Sequence, residues 1–271
     1  MVESLEFRKF LSGVVEVVSG GGQVTIVGDG AANRIRISQF VSEDGSPSGG
    51  FTITAFAGTT LVVDGQPVGT SFTSGRGDIT SAFVTKPLAI SLGGGGDRVD
   101  VEHFTPAERL FVDLGTGNDV ANLSTASETS IDVAIGVLGG DGDDRISFSG
   151  GCTNLTVFPG IGRDGVAIRG DPVAFPRDGR VSIAGRLQIQ DTQGPTSVSL
   201  LAVDLTQAAS IVTGNSVDRV TLDRCSFRRP LVLTTHGGND VLIGISNRFR
   251  AGGIVAPGAG NDFVQGFDEL L

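Results

Sequence analysis

The 271-residue chain contains no tryptophan and no tyrosine, and only two histidines, two cysteines and one methionine. Lysine is almost missing as well, with Lys9 and Lys86 alone. Sixteen phenylalanines are the whole aromatic supply, so a site that stacks flat rings on neutral sugars has little to draw on. Thirty acidic residues against 20 basic ones give a formal charge of −10, which argues against nucleic acid as a partner and for cations. No apolar run approaches the roughly 18 residues that a membrane-spanning helix needs. Residues 1 to 12, MVESLEFRKFLS, show no apolar core of a signal peptide.

Glycine, by contrast, is present 42 times, and much of it is periodic. Gly-x-Gly-x-Asp occurs at 93 to 97, 115 to 119, 140 to 144, 160 to 164 and 258 to 262, with weaker forms at 214 to 218 and 236 to 240. The aspartates are Asp97, Asp119, Asp144, Asp164, Asp218, Asp240 and Asp262, in steps of 22, 25, 20, 54, 22 and 22 residues. Seven residues before each stands Ile90, Val112, Val137, Val157, Ile211, Leu233 or Val255, and two residues after it Val99, Ala121, Ile146, Val166, Val220, Leu242 or Val264. Alternation on both sides of a glycine turn marks strand, turn, strand with one face buried.

A fixed period of about 22 residues without helical patterning marks a solenoid. The expected fold is all-β, a right-handed parallel β-helix of about ten coils rising about 4.8 Å each. The 54-residue gap holds two degenerate coils meeting near Asp191. Asn33 takes the Asp position in VTIVGDGAANRIRIS, so the solenoid starts there. The 64 residues from Asn33 to Asp97 leave room for three coils, two of them degenerate, with FTITAF at 51 to 56 and LVVDG at 61 to 65 as their pieces. Residues 1 to 13 then form an N-terminal segment or cap and 14 to 271 a single β-helix domain, irregular at 42 to 80 and 169 to 208. Ser42 to Gly50 reads as an exposed loop.

Cys152 and Cys225 fall about three coils apart, roughly 14 Å, too far for a disulfide, and read as small buried fillers. His103 and His236 occupy non-equivalent positions and cannot share a metal. Arg76-Gly77-Asp78 arises easily in a Gly- and Asp-rich chain.

The turns GGDGDDRIS at 139 to 147 and GGGGDRVDV at 93 to 101 resemble the RTX nonapeptide G-G-x-G-x-D-x-U-x, in which calcium lies between the turns of successive coils. That resemblance implies calcium held by the seven repeat aspartates. Two like charges about 4.8 Å apart repel by roughly 1 kcal/mol in water and roughly 3 to 4 at an effective dielectric of 20, so something must offset the column. The alternative to metal is arginine: Arg98, Arg145 and Arg219 follow a repeat Asp, and Arg163 precedes one. RTX arrays are tandem nonapeptides, whereas whole strands separate these turns, and Ser216, His236 and the missing turn near 191 would interrupt a ladder.

SLEFRKFLSG also resembles the N-terminal LEPR-x-L-L motif of planctomycete surface proteins, through Leu5, Glu6, Arg8 and Leu11, with Phe7 in place of Pro and Phe10 in place of Leu. It implies an extracellular or cell-surface protein. The expected function is therefore a non-catalytic structural or adhesive repeat module, calcium-stabilised, with cell-envelope components as further partners. The alternative is a polysaccharide-binding or lyase-like β-helix, with Asp97, Asp100, Glu102, Asp119 and Arg98 as one acidic cluster and Asp141, Asp143 and Asp144 as another.

Overall fold

A computed structural model describes residues 13–20, 23–41, 47–73, 87–104, 108–125, 132–170, 179–191 and 193–270. Within them the chain is all-β and winds as a parallel β-solenoid. The first sheet stacks Gln23–Val27, Leu88–Ser91, Glu108–Thr116, Val133–Asp141, Asn154–Ile161, Leu187–Gln190, Ala209–Val212, Leu231–Thr234 and Gly253–Ala256. The second stacks the strands that leave the glycine turns, from Arg34–Val41 and Arg98–Glu102 through to Val241–Ile245 and Phe263–Gln265. From Leu88 to Gly253 the first sheet has eight successive parallel strands, hence seven full turns.

The register follows the alternation in the sequence. Leu88, Leu110, Ile135 and Leu155 align across neighbouring strands, as do Ile90, Val112, Val137 and Val157. All eight side chains are buried. They belong to a single apolar cluster running from Val15 to Phe267, so each coil depends on its neighbours for burial.

The coil count is lower than the ten expected, and the difference lies between Asn33 and Asp97. Val24–Val27 pairs directly with Leu88–Ser91, and Arg34–Ser38 with Arg98–Glu102, so no coil lies between them. FTITAF lies largely within Pro47–Ala55, a strand antiparallel to Arg34–Val41 that carries Ser71–Thr73 antiparallel on its other side. The expected loop at 42 to 50 is thus strand from Pro47 onward. LVVDG forms a hairpin, with Thr60–Val63 antiparallel to Gln66–Gly69 across Asp64 (φ 44) and Gly65 (φ 75).

The physical reason is the Asp-Gly pair flanked by alternating apolar residues, which favours a two-residue hairpin over a turn between parallel strands. Val14–Gly20 lies antiparallel on Gln23–Val27 and parallel to Thr60–Val63. Together these strands cover the open edge of the first coil. The outermost, Gln66–Gly69, is exposed throughout and carries Pro67, a residue that edge strands tolerate.

The 54-residue gap does hold two coils, meeting in the turn that contains Asp191, with Leu187–Gln190 before it and Thr196–Leu201 after it. A third sheet, which the sequence did not announce, begins one coil earlier and runs through the gap: Gly151–Cys152, Val181–Ile183, Val203–Leu205, Ser226–Phe227 and Arg248–Phe249. Cys152 and Cys225 are free and buried, as expected. The N-terminal motif and the Arg-Gly-Asp tripeptide lie outside the described residues.

Candidate functional site

The seven repeat aspartates stack where the first sheet turns into the second. The alternation that buries the residue two after each Asp also turns the Asp itself inward: Asp97, Asp119, Asp144, Asp164, Asp218 and Asp240 are all buried, and Asp262 is half-buried. Glycine makes the stacking possible. Gly117 has φ 136, and a Cβ there would come within 1.5 Å of the Gly95 carbonyl oxygen of the coil below.

Each aspartate ties its coil to the one before. Asp119 Oδ1 accepts the backbone N–H of Asp97 at 2.6 Å, Asp144 that of Asp119 at 2.9 Å, and Asp164 that of Asp144 at 2.9 Å. Asp97 accepts from Asn33 at 2.6 Å, Asp240 from Asp218 at 2.8 Å, and Asp262 from Asp240 at 2.9 Å. The hydrogen-bonded column therefore runs on through the turns that hold Ser216 and His236.

The ladder changes only at the irregular coil. Thr196, not Asp191, aligns with Asp164 and donates its N–H to Asp218 Oδ1 at 2.7 Å, while the Asp164 N–H goes to the Pro195 carbonyl at 3.0 Å. The Thr196 hydroxyl donates to the buried carboxylate of Asp191.

The second carboxylate oxygen is the unusual one. Oδ2 of Asp97, Asp119, Asp144, Asp164, Asp218 and Asp240 is buried with no hydrogen-bond partner among the described protein atoms, the Thr213 hydroxyl lying close enough to Asp218 to hold back the rise in its pKa. Asn33, in the same position of the first coil, shows what surrounds this atom. Its Nδ2 donates to the Ala31 carbonyl at 2.8 Å and to the Leu92 carbonyl of the next coil at 3.2 Å.

The cradle recurs at Asp144. A Cβ built on Gly28, five residues before Asn33, would lie 2.4 Å from Leu92 O and 2.7 Å from Asn33 Nδ2. A Cβ on Gly139, five before Asp144, would lie 2.0 Å from Pro159 O and 2.6 Å from Asp144 Oδ2. At Asp144, Oδ2 thus sits where the asparagine places a donor, beside a carbonyl oxygen of the next coil. Acceptor facing acceptor is unfavourable in a buried position, and a proton, an ordered water or a cation between them removes the conflict.

Electrostatics point the same way. Burial pushes the carboxyls of Asp97 and Asp144 from an ordinary 3.8 up to about 7, with the charge of Asp119 adding to both and the accepted N–H holding each back. Burial likewise lifts Asp164 and Asp218 to about 6 and raises Asp119.

The arginines that stood as the alternative to metal do not reach the column. Among the described residues no ion pair joins Arg98, Arg145, Arg163 or Arg219 to a ladder aspartate, because the residue beside an inward Asp points outward. Arg98 pairs instead with Asp100 at 3.0 Å. Burial alone would raise the Asp100 carboxyl, but its bonds to Arg98 and Asn122 and the charge of Arg36 hold it below its ordinary value.

Comparison with known proteins returned no family model, no curated protein and no solved structure that matches this chain. The lyase-like cluster is not assembled: Asp97 and Asp119 lie in the interior column, whereas Asp100 and Glu102 are tied to Arg36 and Arg98 in ion pairs apart from it. Asp141 and Asp143 are exposed while Asp144 is buried. Among the described residues no three His, Cys, Asp or Glu side chains gather into a metal cluster, so any cation in the column would draw on carbonyls as well as carboxylates. His103 follows a strand of the second sheet and His236 sits in a later turn, its Nδ1 2.7 Å from the Thr213 carbonyl oxygen, so the two do not meet. No helix among the described residues is long and apolar enough to cross a membrane.

Proposed function

We propose that this chain is a non-catalytic structural module of an exported or surface protein, a rod whose interior aspartate column is stabilised by calcium. The observation that carries the reading is the repeated, buried Oδ2 without a partner among the described protein atoms, set at Asp144 beside the Pro159 carbonyl oxygen; at Asp218 and Asp240 the hydroxyls of Thr213 and Thr235 enter the same place. Calcium takes six to eight oxygen ligands, carboxylate and carbonyl alike, in adaptable geometry. The residues present fit that chemistry. Asp97, Asp119, Asp144, Asp164, Asp218, Asp240 and Asp262 would supply carboxylate oxygens, and the glycine turns would supply carbonyls. Bound calcium would offset the mutual repulsion of the column and the cost of burying it.

The RTX-like turns support calcium in particular, and the resemblance of residues 5 to 11 to a surface-protein motif supports the location. A catalytic reading is less favoured, since its acidic residues are divided between the column and a set of ion pairs apart from it.

The test is thermal unfolding of the purified chain in EDTA and in millimolar calcium. A ligand at about 100 times its Kd adds about 2.7 kcal/mol per site to the folded state, so occupied sites should raise the melting temperature by many degrees. An unchanged melting temperature would remove calcium from the account and leave the column to protons or ordered water.

A further inference from the structure

The outer face of the second sheet carries an open groove of about 1090 Å³. Its floor is cut by small residues: Gly165 lies in register with Arg145, and Ala167 between Ser147 and Ser199. Arg98, Arg145, Arg163 and Arg169 line it. All but Arg98 are without an ion-pair partner among the described residues, and Arg145, Arg163 and Arg169 are exposed. The acidic residues in the lining are Asp144 and Asp164, which are buried 1% and 3% exposed and belong to the interior column. A chain of net charge −10 thus gathers unpaired positive charge on one grooved face.

Phe148, the aromatic in the lining, is buried in the core, so the groove has no ring to offer a neutral sugar. Asn122 and Ser147 lie in register on adjacent strands about 4.8 Å apart, and Ser199 continues the midline two strands further on, past Ala167, between Arg145 on one side and Arg169 on the other. This is a polar track with arginines on both borders, closed at one end where Asn122 donates to the Asp100 carboxylate that Arg98 neutralises. We propose that the groove binds an anionic polysaccharide lying along the rod axis, its carboxylate or sulfate groups held by Arg145, Arg163 and Arg169. Guanidinium forks match both oxyanions in bidentate geometry. Nucleic acid is the less favoured polyanion, because single strands are held by aromatic platforms that this face lacks.

The test is titration of the whole chain with polygalacturonate, dextran sulfate, neutral dextran and a single-stranded DNA oligomer over a range of sodium chloride concentrations. The expected result is salt-sensitive binding of polygalacturonate or dextran sulfate, the tighter of the two identifying the acid group, with neither dextran nor DNA binding comparably. Arg145→Ser with Arg169→Ser should weaken binding about tenfold. Arg229→Ser, outside the groove, should bind as the unchanged protein does. Arg163→Ser, on a turn outside the strands, is the second probe should the double variant lose its fold, and should weaken binding about threefold. Failure of both anionic glycans to bind, equal binding of DNA, or insensitivity to the groove arginines would overturn the proposal. None of these readouts depends on calcium in the column, so either idea can fail alone.

Discussion

At the scale of one residue, Asn33 and Asp144 form a natural experiment. Both occupy the same cradle, one with a donor aimed at the carbonyl of the next coil and the other with an unprotonated acceptor there whenever Asp144 is charged. Asp144→Asn should therefore raise the melting temperature of the chelator-treated protein at pH 8, a gain on the order of 1 to 3 kcal/mol for satisfying one buried group. The same change should reduce the stabilisation by calcium, since an amide is a poorer ligand than a carboxylate. A variant that melts lower in EDTA would show that Oδ2 is not starved of a donor.

The position of the aspartates was legible in the sequence from the 22-residue period. Their inward aim was legible too, since parity puts the Asp on the face of the apolar residue two later. The arginine beside it points out for the same reason, which is why Arg98 serves Asp100 and not Asp97. What the sequence did not reveal is the lack of a protein donor at Oδ2, which emerges only when the carbonyl of the next coil is brought alongside.

At the scale of elements, the two long sheets could be read from alternation because their strands run for several residues. The third sheet could not, since strands of two or three residues such as Gly151–Cys152 and Ser226–Phe227 are too short to show a period. Its strength comes from side chains stacked along the axis: the rings of Phe227 and Phe249 lie 5.1 Å apart and nearly parallel, and Phe249 is 6.3 Å from Phe267. Phe227 is fully buried, so Phe227→Ala should cost about 3 to 5 kcal/mol, measured as a shift in the denaturant midpoint. A loss below about 1 kcal/mol would mean that the third sheet is peripheral to the fold. The hairpin at Asp64-Gly65 was misread at this scale, because the same two residues can close a hairpin or round a coil and only pairing direction separates the cases.

At the scale of the molecule, the column makes stability depend on pH in an unusual sense. For Asp97, Asp144, Asp164 and Asp218 the folded carboxyl has a higher pKa than the ordinary 3.8. A raised pKa means that the folded chain holds protons the unfolded chain has released, so the stabilisation is complete below about 4 and is lost as pH rises toward about 7. In EDTA the melting temperature should fall between pH 5 and pH 8, against the usual trend for paired carboxylates. Calcium bound as proposed, in place of the protons, should flatten that fall. A melting temperature that climbs with pH in EDTA would contradict the buried, neutral column.

The ladder bonds all point one way: in each, an amide of the earlier coil is met by a carboxylate of the later one. At the start, Asn33 Oδ1 is left as an idle acceptor. A coil at the end of the stack would hand the same amide to water, and its successor's carboxylate takes that amide over. The rod therefore has a polarity as definite as that of the chain itself, each coil being capped by the one that follows it in sequence.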